Sequence, residues 1–417
     1  MKDYNMCILI VTYKRNEAIR DYLEQKARYY IDNHIDVVIY DSSPDNETEQ
    51  VAKEYIKRYG DSVKYVKYKD PSGDDYGAKK TKDALWNCSK EYDYVWLCGD
   101  TTILQIQDYA DELENALKNK SDVIHIYESS DIKTQEITDR NFFLKKFFWS
   151  MTHWCSFILS KDIIKDMDKY MGEYIERGYV NLVVFAIYAA LTDEKYKIHY
   201  INAKPYKYSI YRKSATAYAK KDVIRGYAKM ISVGVRELPE EYNDVKKETM
   251  KSFSKETGLF SAKGVVELRA YENITFGEVT KYRRCIKDVT DVPVLWFYIC
   301  CLMPVKFATN FSYSKREGSI LEKLNDNAKK IIIYGAGKYG CELYQKLMLF
   351  YPKIDIISVA DKKWNEIKSE HNIISPTDIN RFDYDYVVIG IVDKKIRKSV
   401  KKELINLGIS NKKIIVF

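Results

Sequence analysis

Three apolar runs within the first hundred residues each end beside a side chain that could take part in chemistry. Tyr13 follows the first run, Asp41 ends the second, and Asp100 follows the third after a glycine. A tyrosine ring can stack on a nucleobase, and a carboxylate can accept a hydrogen bond from a base N–H or bind a divalent cation. Together these groups suit a nucleoside diphosphate.

Basic side chains lie near the same run ends and could contact the diphosphate. Arg15 follows the first run, and Lys79, Lys80 and Lys82 fall on a predicted helix just before the third run. Arginine and lysine both bind phosphate oxygens. A single aspartate after a strand is most often a turn or cap residue, so the interpretation depends on the order and spacing of the whole set.

The first 210 residues must position these groups, and they alternate between strand-like and helical segments. Such alternation predicts an α/β layered domain with a mostly parallel sheet, in which ligands bind beyond the carboxyl ends of the strands. The predicted strands are 7–12, 37–40, 63–67, 94–98, 123–127, 154–159 and 196–201.

Three segments, "VTYKRN", "YDSSPDNET" and "YDYVWLCGDTTI", resemble the sequence blocks of family 2 glycosyltransferases with the GT-A fold. The resemblance covers about residues 5–210, which is half of the chain. It implies transfer of a sugar from a nucleotide diphosphate, UDP-type here, to an acceptor. Such transfer usually needs Mg²⁺ or Mn²⁺ and usually inverts the anomeric carbon.

The resemblance also implies roles for the donor-side residues. The residue that stacks on the nucleobase falls on Thr12 and Tyr13, and the carboxylate that contacts the base falls on Asp41. Lys82 is the best match to the basic residue near the diphosphate, and Arg15 is a further candidate for that contact.

The metal-binding Asp-x-Asp of the family falls on Cys98-Gly99-Asp100. Asp100 matches the second aspartate, the metal ligand, whereas a cysteine stands in place of the first. A single carboxylate with diphosphate oxygens and water can still hold Mg²⁺. We therefore expect Asp100 to be the metal ligand of this site.

An inverting transfer needs a general base that takes the proton of the acceptor hydroxyl. The aspartate that the family uses falls on Asn181, which cannot act as a base. Glu176 is the preferred replacement, with Glu173 and Asp193 as alternatives. Arg212 follows the last predicted strand of this half and could reach the diphosphate.

The last 90 residues begin a second α/β unit. Gly335, Gly337 and Gly340 form a glycine-rich turn between a predicted strand and a predicted helix, and Asp361 lies about 20 positions further on. This context predicts a Rossmann-like domain over 328–417 that resembles those attached to bacterial surface-polysaccharide enzymes. Its ligand stays open between a nucleotide or nucleotide-sugar and none, as in a structural or partner-docking unit. No Tyr-x-x-x-Lys hydride-transfer set accompanies the turn, which disfavours NAD.

The region between the two α/β units is helical in pattern and basic. Residues 201–320 carry about 22 Lys/Arg against about 13 Asp/Glu, which accounts for the net charge of +8. The apolar run at 292–311 is too short to span a bilayer and is predicted to be either a buried helix or an interfacial one. An anionic membrane surface is therefore one candidate partner, and a solvated surface is the alternative.

Composition limits the remaining classes. The chain has 417 residues with 46% apolar and 31% charged side chains, which indicates a globular protein of several domains. Its eight cysteines include no CxxC pair, and no secretory leader opens the sequence, so a cytoplasmic location is expected. The basic residues have no recognisable nucleic-acid module around them.

The sequence thus predicts a GT-A domain over 1–212, a basic helical middle over 213–327 and a Rossmann-like domain over 328–417. The expected activity is transfer of a sugar to a glycan or lipid-linked glycan acceptor in capsule or surface-polysaccharide synthesis, in the cytoplasm, with a peripheral position on the inner membrane face as one alternative. A non-catalytic nucleotide-sugar-binding regulator or scaffold is the alternative. A homo-oligomer is compatible with the sequence.

Overall fold

The structure of the chain is a computed structural model. It describes the two α/β regions and most of the helices between them. The described residues are 4–69, 76–176, 182–208, 223–270, 272–305, 307–308, 324, 329–337, 339–341, 343–344, 347, 354–365 and 373–416.

The chain divides into two compact units that interleave in sequence. The first comprises Met1–Tyr211 and Met230–Glu256, and the second comprises Arg212–Lys229 and Thr257–Phe417. Helices of the basic middle region therefore occur in both units. The boundaries at 212 and 327 stay a prediction.

The first unit is built on a mixed eight-stranded sheet with the strand order β3-β2-β1-β4-β8-β6-β9-β7. The strands β3, β2, β1 and β4 are parallel neighbours, whereas β8 runs antiparallel to both of its neighbours, β4 and β6. All seven residues of β1 are buried, as expected for a parallel strand covered by helices on both faces. The strands are β1 (Met6–Thr12), β2 (Ile35–Asp41), β3 (Val63–Lys67), β4 (Tyr94–Gly99), β6 (Val123–Ile126), β7 (Gln135–Ile137), β8 (Phe157–Ser160) and β9 (Ile198–Ile201), and β5 (Thr102–Leu104) pairs separately with β10 (Tyr206–Tyr208).

Helices flank this sheet, and their apolar stripes face it. In the first helix, buried side chains recur at Ile19, Tyr22, Leu23, Ala27 and Tyr30, the spacing of one helical face. They join a core cluster with side chains from the central strands. The helices are α1 (Asn16–Asp32), α2 (Glu47–Tyr59), α3 (Tyr76–Glu91), α4 (Ala110–Lys118), α5 (Arg140–Met151), α6 (Lys161–Glu176), α7 (Leu182–Ala190), α8 (Met230–Glu237) and α9 (Asn243–Thr257).

The helical part of the second unit contains the apolar run that the sequence singles out. On the last of its helices, Phe297 and Cys300 are buried, whereas Leu295, Ile299 and Leu302 are exposed. The run is thus neither fully buried nor fully exposed. Across the helices that the structure describes, none combines the length and apolarity needed to cross a bilayer. These helices are α10 (Ala262–Ala270), α11 (Phe276–Lys281), α12 (Arg283–Val289) and α13 (Val294–Leu302).

The C-terminal part of the second unit is a fully parallel five-stranded sheet with the order β13-β12-β11-β14-β15. Apolar clusters cover both of its faces. Because the order reverses between β11 and β14, this is the strand arrangement of a Rossmann-like unit. Its elements are β11 (Lys329–Tyr334), β12 (Ile354–Ala360), β13 (Ile373–Ile374), β14 (Tyr386–Ile389), β15 (Ile414–Ile415) and α14 (Lys394–Asn406).

The predicted fold class is confirmed at the level of architecture: an α/β protein with a mostly parallel N-terminal sheet, helices in the middle and a C-terminal parallel sheet. Two details differ from the sequence-based prediction. The strand predicted from Trp154 begins at Phe157, because residues 154–156 form a 3-10 turn. The segment before it, for which the sequence predicts no element, forms a further helix, α5, in which Phe143, Phe147 and Phe148 are buried.

Candidate functional site

The three strand ends that the sequence singles out meet at one edge of the N-terminal sheet. In the parallel register, Thr12 at the end of β1 lies beside Asp41 at the end of β2. Val11 lies beside Gly99 of β4, so Asp100 comes directly beyond the sheet edge. The Thr12 hydroxyl donates a hydrogen bond to Asp100 Oδ2 over 2.9 Å. The structure therefore places Thr12 next to both Asp41 and Asp100 at this edge of the sheet.

Asp100 is half-buried and has positive charge nearby. Burial raises the pKa of Asp100, while the Thr12 hydrogen bond and the charges of Arg15 and Lys80 act in the opposite direction. Arg15 is the N-cap residue of α1, and no side chain caps that helix. Its Nη1 is shielded from solvent and has no hydrogen-bond partner among the described residues. A buried guanidinium N–H without an acceptor can receive an anionic group.

Asp41 lies below the surface, with 0% of it exposed. Its Oδ1 accepts hydrogen bonds from the Ser43 backbone N–H, over 2.8 Å, and from the Ser43 hydroxyl. Its Oδ2 accepts from the Tyr65 hydroxyl over 2.8 Å, and Lys67 Nζ lies 3.9 Å away. These partners hold the carboxylate rigidly beneath the sheet edge. The predicted contact with a nucleobase stays a prediction.

Lys80 on α3 is buried within this site and is only 3% exposed. Its ammonium donates to the Thr12 carbonyl over 2.6 Å and to the Ser42 hydroxyl over 2.7 Å, so it connects the ends of β1 and β2. Burial lowers its pKa to about 8, against the opposing charges of Asp41 and Asp100. A buried lysine beside two carboxylates places a fixed positive charge in the candidate site.

Tyr13 stands at the surface of the same edge and is 50% exposed. Lys14 Nζ lies 5.5 Å from the centre of its ring. The Lys14 backbone has a φ of 54° and its N–H donates to Ser43 Oγ over 2.7 Å. This left-handed turn separates β1 from α1 and leaves the tyrosine ring open for a planar partner.

Cys98, which stands where the resemblance expects an aspartate, is 0% exposed. It belongs to the core cluster with Trp96, because alternate residues of a strand share a face. Its thiol therefore cannot take the place of a ligand carboxylate. Within the described residues, no three His, Cys, Asp or Glu side chains are grouped closely enough to bind one metal ion. One carboxylate, engaged by Thr12 and flanked by cationic side chains, fits a resident divalent cation poorly.

The other predicted residues of this half lie elsewhere or outside the described part. Lys82 forms a salt bridge with Asp168 of α6, over 2.7 Å, and so faces that helix. Glu176 is exposed at the end of α6, and no described contact links it to Asp100. Arg212 and Asn181 lie outside the described residues. The roles of all four stay predictions.

The sequence offers Lys80 only as one of three lysines that could contact the diphosphate, and the family resemblance selects Lys82 instead. Lys80, Ala84 and Cys88 share one helical face at i, i+4 and i+8, and all three are buried. Lys82, two positions on, points in a different direction. A single charged residue within an apolar stripe was the available signal, because a lysine there must be buried with a partner.

The glycine turn of the C-terminal sheet has a packing explanation. Gly335 has a φ of 110°, and a Cβ at Gly340 would lie 1.8 Å from the Gly335 carbonyl oxygen. A Cβ at Gly337 would meet nothing within 4 Å. The Ala336 N–H donates to Asp361 Oδ2 over 2.7 Å, so the acidic residue that follows the turn in the sequence contacts the turn itself. Nucleotide binding at this turn stays a prediction.

Comparison with protein families gives one match. A model described as C2185-like, N-terminal, matches residues 327–415, the region of the five-stranded parallel sheet. It covers well under half of the chain, so it characterises this part alone. No curated protein matches the sequence.

Several solved structures of glycosyltransferases are similar at low identity. S. aureus TarS, residues 1–349, is 14% identical with a TM-score of 0.46, and the match covers 75% of this chain and 92% of that one. The mannosyltransferase PcManGT from Pyrobaculum calidifontis, in complex with GDP-Man and Mn²⁺, is 9% identical with a TM-score of 0.39, covering 74% and 84%. Glucosyl-3-phosphoglycerate synthase from Mycobacterium tuberculosis, in complex with Mn²⁺, UDP-Glc and phosphoglyceric acid, is 11% identical with a TM-score of 0.33, covering 57% and 82%.

Proposed function

We propose that the N-terminal unit is a glycosyltransferase that binds a nucleotide-sugar at the sheet edge formed by Thr12, Asp41 and Asp100. The observation that carries this proposal is the exposed Tyr13 beside a site that contains Arg15 and Lys80. An aromatic face next to buried cationic groups matches a nucleobase joined to a diphosphate. In open α/β sheets, the carboxyl ends of the strands are where such ligands bind.

Each residue of the site has a separate role in donor binding. Tyr13 stacks on the base, Asp41 fixes the loop that borders it, and Arg15 and Lys80 face the phosphates. Positive charge at that position stabilises the negative charge that develops on the leaving diphosphate as the glycosidic bond breaks. The acceptor hydroxyl must lose its proton in the same step, and Glu176 is the proposed base on sequence grounds alone.

The finer parts of the proposal concern the substrates. We propose a UDP-type donor, inversion at the anomeric carbon and a glycan acceptor of a bacterial surface polysaccharide. A lipid-linked acceptor would bring the chain to the inner membrane face, where the exposed Leu295, Ile299 and Leu302 could contact lipid headgroups and acyl chains. Sedimentation with anionic and neutral liposomes tests that contact, and equal recovery in the supernatant with both would remove it.

The donor site is tested by calorimetric titration of UDP, GDP and NAD into the full chain, with and without Mn²⁺. Binding of UDP or GDP that is weakened by Tyr13→Ala supports the proposal, and release of UDP from UDP-sugars across an acceptor panel would establish transfer. Binding of UDP-sugar without any release of UDP favours the non-catalytic regulator instead. If NAD binds and neither nucleoside diphosphate does, the proposal is wrong.

A further inference from the structure

The electrostatic balance of the site differs from that of a site made of two aspartates and a metal ion. Cys98 is buried in the core and adds no charge at the ligand position. Lys67 lies beside Asp41, the charges of Asp41 and Asp100 both act on Lys80, and the charges of Arg15 and Lys80 act on Asp100. Three cationic groups therefore face two carboxylates, which leaves an excess of one positive charge before any ligand binds.

The two cationic groups are held in place in different ways. Lys80 donates to two protein acceptors, the Thr12 carbonyl and the Ser42 hydroxyl, so its charge is fixed within the sheet edge. The Arg15 Nη1 is shielded from solvent and lacks an acceptor among the described residues. The first turn of α1, which Arg15 precedes, has no capping side chain. The N-terminus of α1 and a guanidinium N–H without an acceptor among the described residues both favour the same kind of ligand, an anion.

We propose that Arg15, Lys80 and the N-terminus of α1 supply the positive charge that the donor diphosphate requires, so that the chain binds nucleoside diphosphates without a divalent cation. This inference rests on the proposed donor site. Arg15 contacts the diphosphate directly, and Lys80 acts through its fixed charge. Asp100 is then a positioning residue that holds the Thr12 hydroxyl and balances the charge of the two basic groups.

The same arrangement disfavours a divalent cation at Asp100. A divalent cation placed between the Asp100 carboxylate and the diphosphate would be repelled by the Lys80 ammonium and by the Arg15 guanidinium. Most of its ligands would have to come from the diphosphate and water, because the described residues include no group of three or more His, Cys, Asp or Glu side chains that could hold a metal ion. Arg15 and Lys80 already supply the positive charge that the metal ion would provide.

The first arm of the test is calorimetric titration of UDP and GDP into the full wild-type chain, in EDTA and then with Mn²⁺. We expect dissociation constants in the two conditions to differ by less than about tenfold. Binding that needs Mn²⁺ would overturn this inference and leave the proposed donor site standing. No binding of any nucleoside diphosphate in either condition would instead overturn the donor site.

The second arm uses variants, all titrated in EDTA. We expect Arg15→Met and Lys80→Met each to weaken binding by about tenfold or more. Lys90→Met, which removes a charge from the exposed far end of the same helix as Lys80, should bind like the wild type. Equal binding by Arg15→Met and Lys90→Met would overturn the assignment, and this comparison does not depend on Lys80→Met folding.

The third arm addresses Asp100. Asp100→Asn keeps an oxygen that can accept from Thr12 but removes the negative charge, so we expect binding in EDTA to be retained or tightened. A metal ligand would behave oppositely: the variant would lose binding in the presence of Mn²⁺. Electron paramagnetic resonance of Mn²⁺ gives an independent readout, because the signal in the protein–UDP mixture should match that of Mn²⁺ with UDP alone. Additional loss of the free-ion signal would contradict the inference.

Discussion

His125 on β6 should make the stability of the N-terminal unit sensitive to acid. The ring is 0% exposed and is surrounded by aromatic rings, including those of Phe147 and Tyr200. Its Nδ1 lies 2.9 Å from the Ser156 carbonyl, which can only accept, so Nδ1 carries the hydrogen. Its Nε2 lies 2.8 Å from Ser150 Oγ. Burial lowers its pKa from the usual 6.5 to about 3.

The sign of the effect follows from comparing the two states. Below pH 6.5 the unfolded chain protonates this histidine, whereas the folded chain keeps it neutral down to about pH 3. The unfolded state then binds more protons, so the free energy of unfolding falls as the pH drops, by about 1.4 kcal/mol per unit. Between about pH 6.5 and about pH 4.5 this amounts to about 2 kcal/mol. Burial raises the pKa of the nearby Tyr200 to about 12, and the charge of His153 lowers the pKa of His125 further.

The assay is chemical denaturation at the two pH values, followed by circular dichroism. Carboxylates also titrate in this range, so the quantity to compare is the difference between the wild type and His125→Gln, which cannot take up the proton. We expect the wild type to lose about 2 kcal/mol more than the variant. His34→Asn, at an exposed position, serves as the control and should lose as much as the wild type. If the wild type and His125→Gln lose the same amount, the ring is not held neutral by burial and the reasoning fails.

Three further changes test the packing and the donor site. Gly340→Ala places a methyl group 1.8 Å from a backbone oxygen, so we expect the free energy of unfolding to fall by about 1–3 kcal/mol in chemical denaturation. Gly337→Ala places its methyl group in open space and should change that free energy little. Equal losses in the two variants would contradict this explanation. Tyr65→Phe removes the hydrogen bond to the buried Asp41 and should lower stability by about 1–3 kcal/mol in the same assay, and an unchanged midpoint would show that this bond is not needed. Tyr13→Ala should weaken UDP binding by about 10- to 100-fold without a change in stability. Tyr13→Phe keeps the ring and should keep the affinity for UDP. Equal affinity of the two variants would exclude stacking on the base.

The sequence predicts the parallel edge of the sheet well, because that edge depends on local patterns. Buried apolar runs mark β1, β2 and β4, and parallel pairing brings their carboxyl ends to one line. The convergence of Thr12, Asp41 and Asp100 follows from those two facts alone. The surroundings of Asp41 depend on a residue from β3, Tyr65, and on the side chain of Ser43 in the turn. Contacts between separate elements of this kind are not encoded in any single pattern.

The choice among the lysines of α3 shows where sequence reasoning stops. A match by position selects Lys82, yet residues two positions apart on a helix point in different directions. Lys80 faces β1, whereas Lys82 pairs with Asp168. Deciding between them requires knowledge of which face of α3 packs on the sheet and which faces α6. The apolar stripe of α3 shows which face packs on the sheet, but the position of α6 beside α3 is set by the tertiary structure.

The charges at the sheet edge connect the cysteine at position 98 with the buried lysine. Two aspartates with one divalent cation have no net fixed charge, and Asp100 with Lys80 reaches the same balance without an ion. Arg15 then adds one positive charge, which an incoming diphosphate can neutralise. A buried ammonium normally destabilises a fold unless it is paired, and here its partners are the backbone and hydroxyl oxygens of the two strand ends. A site that binds a diphosphate with its own cationic side chains requires a lysine that is held in this way. It also needs no acidic side chain at position 98, where a cysteine stands.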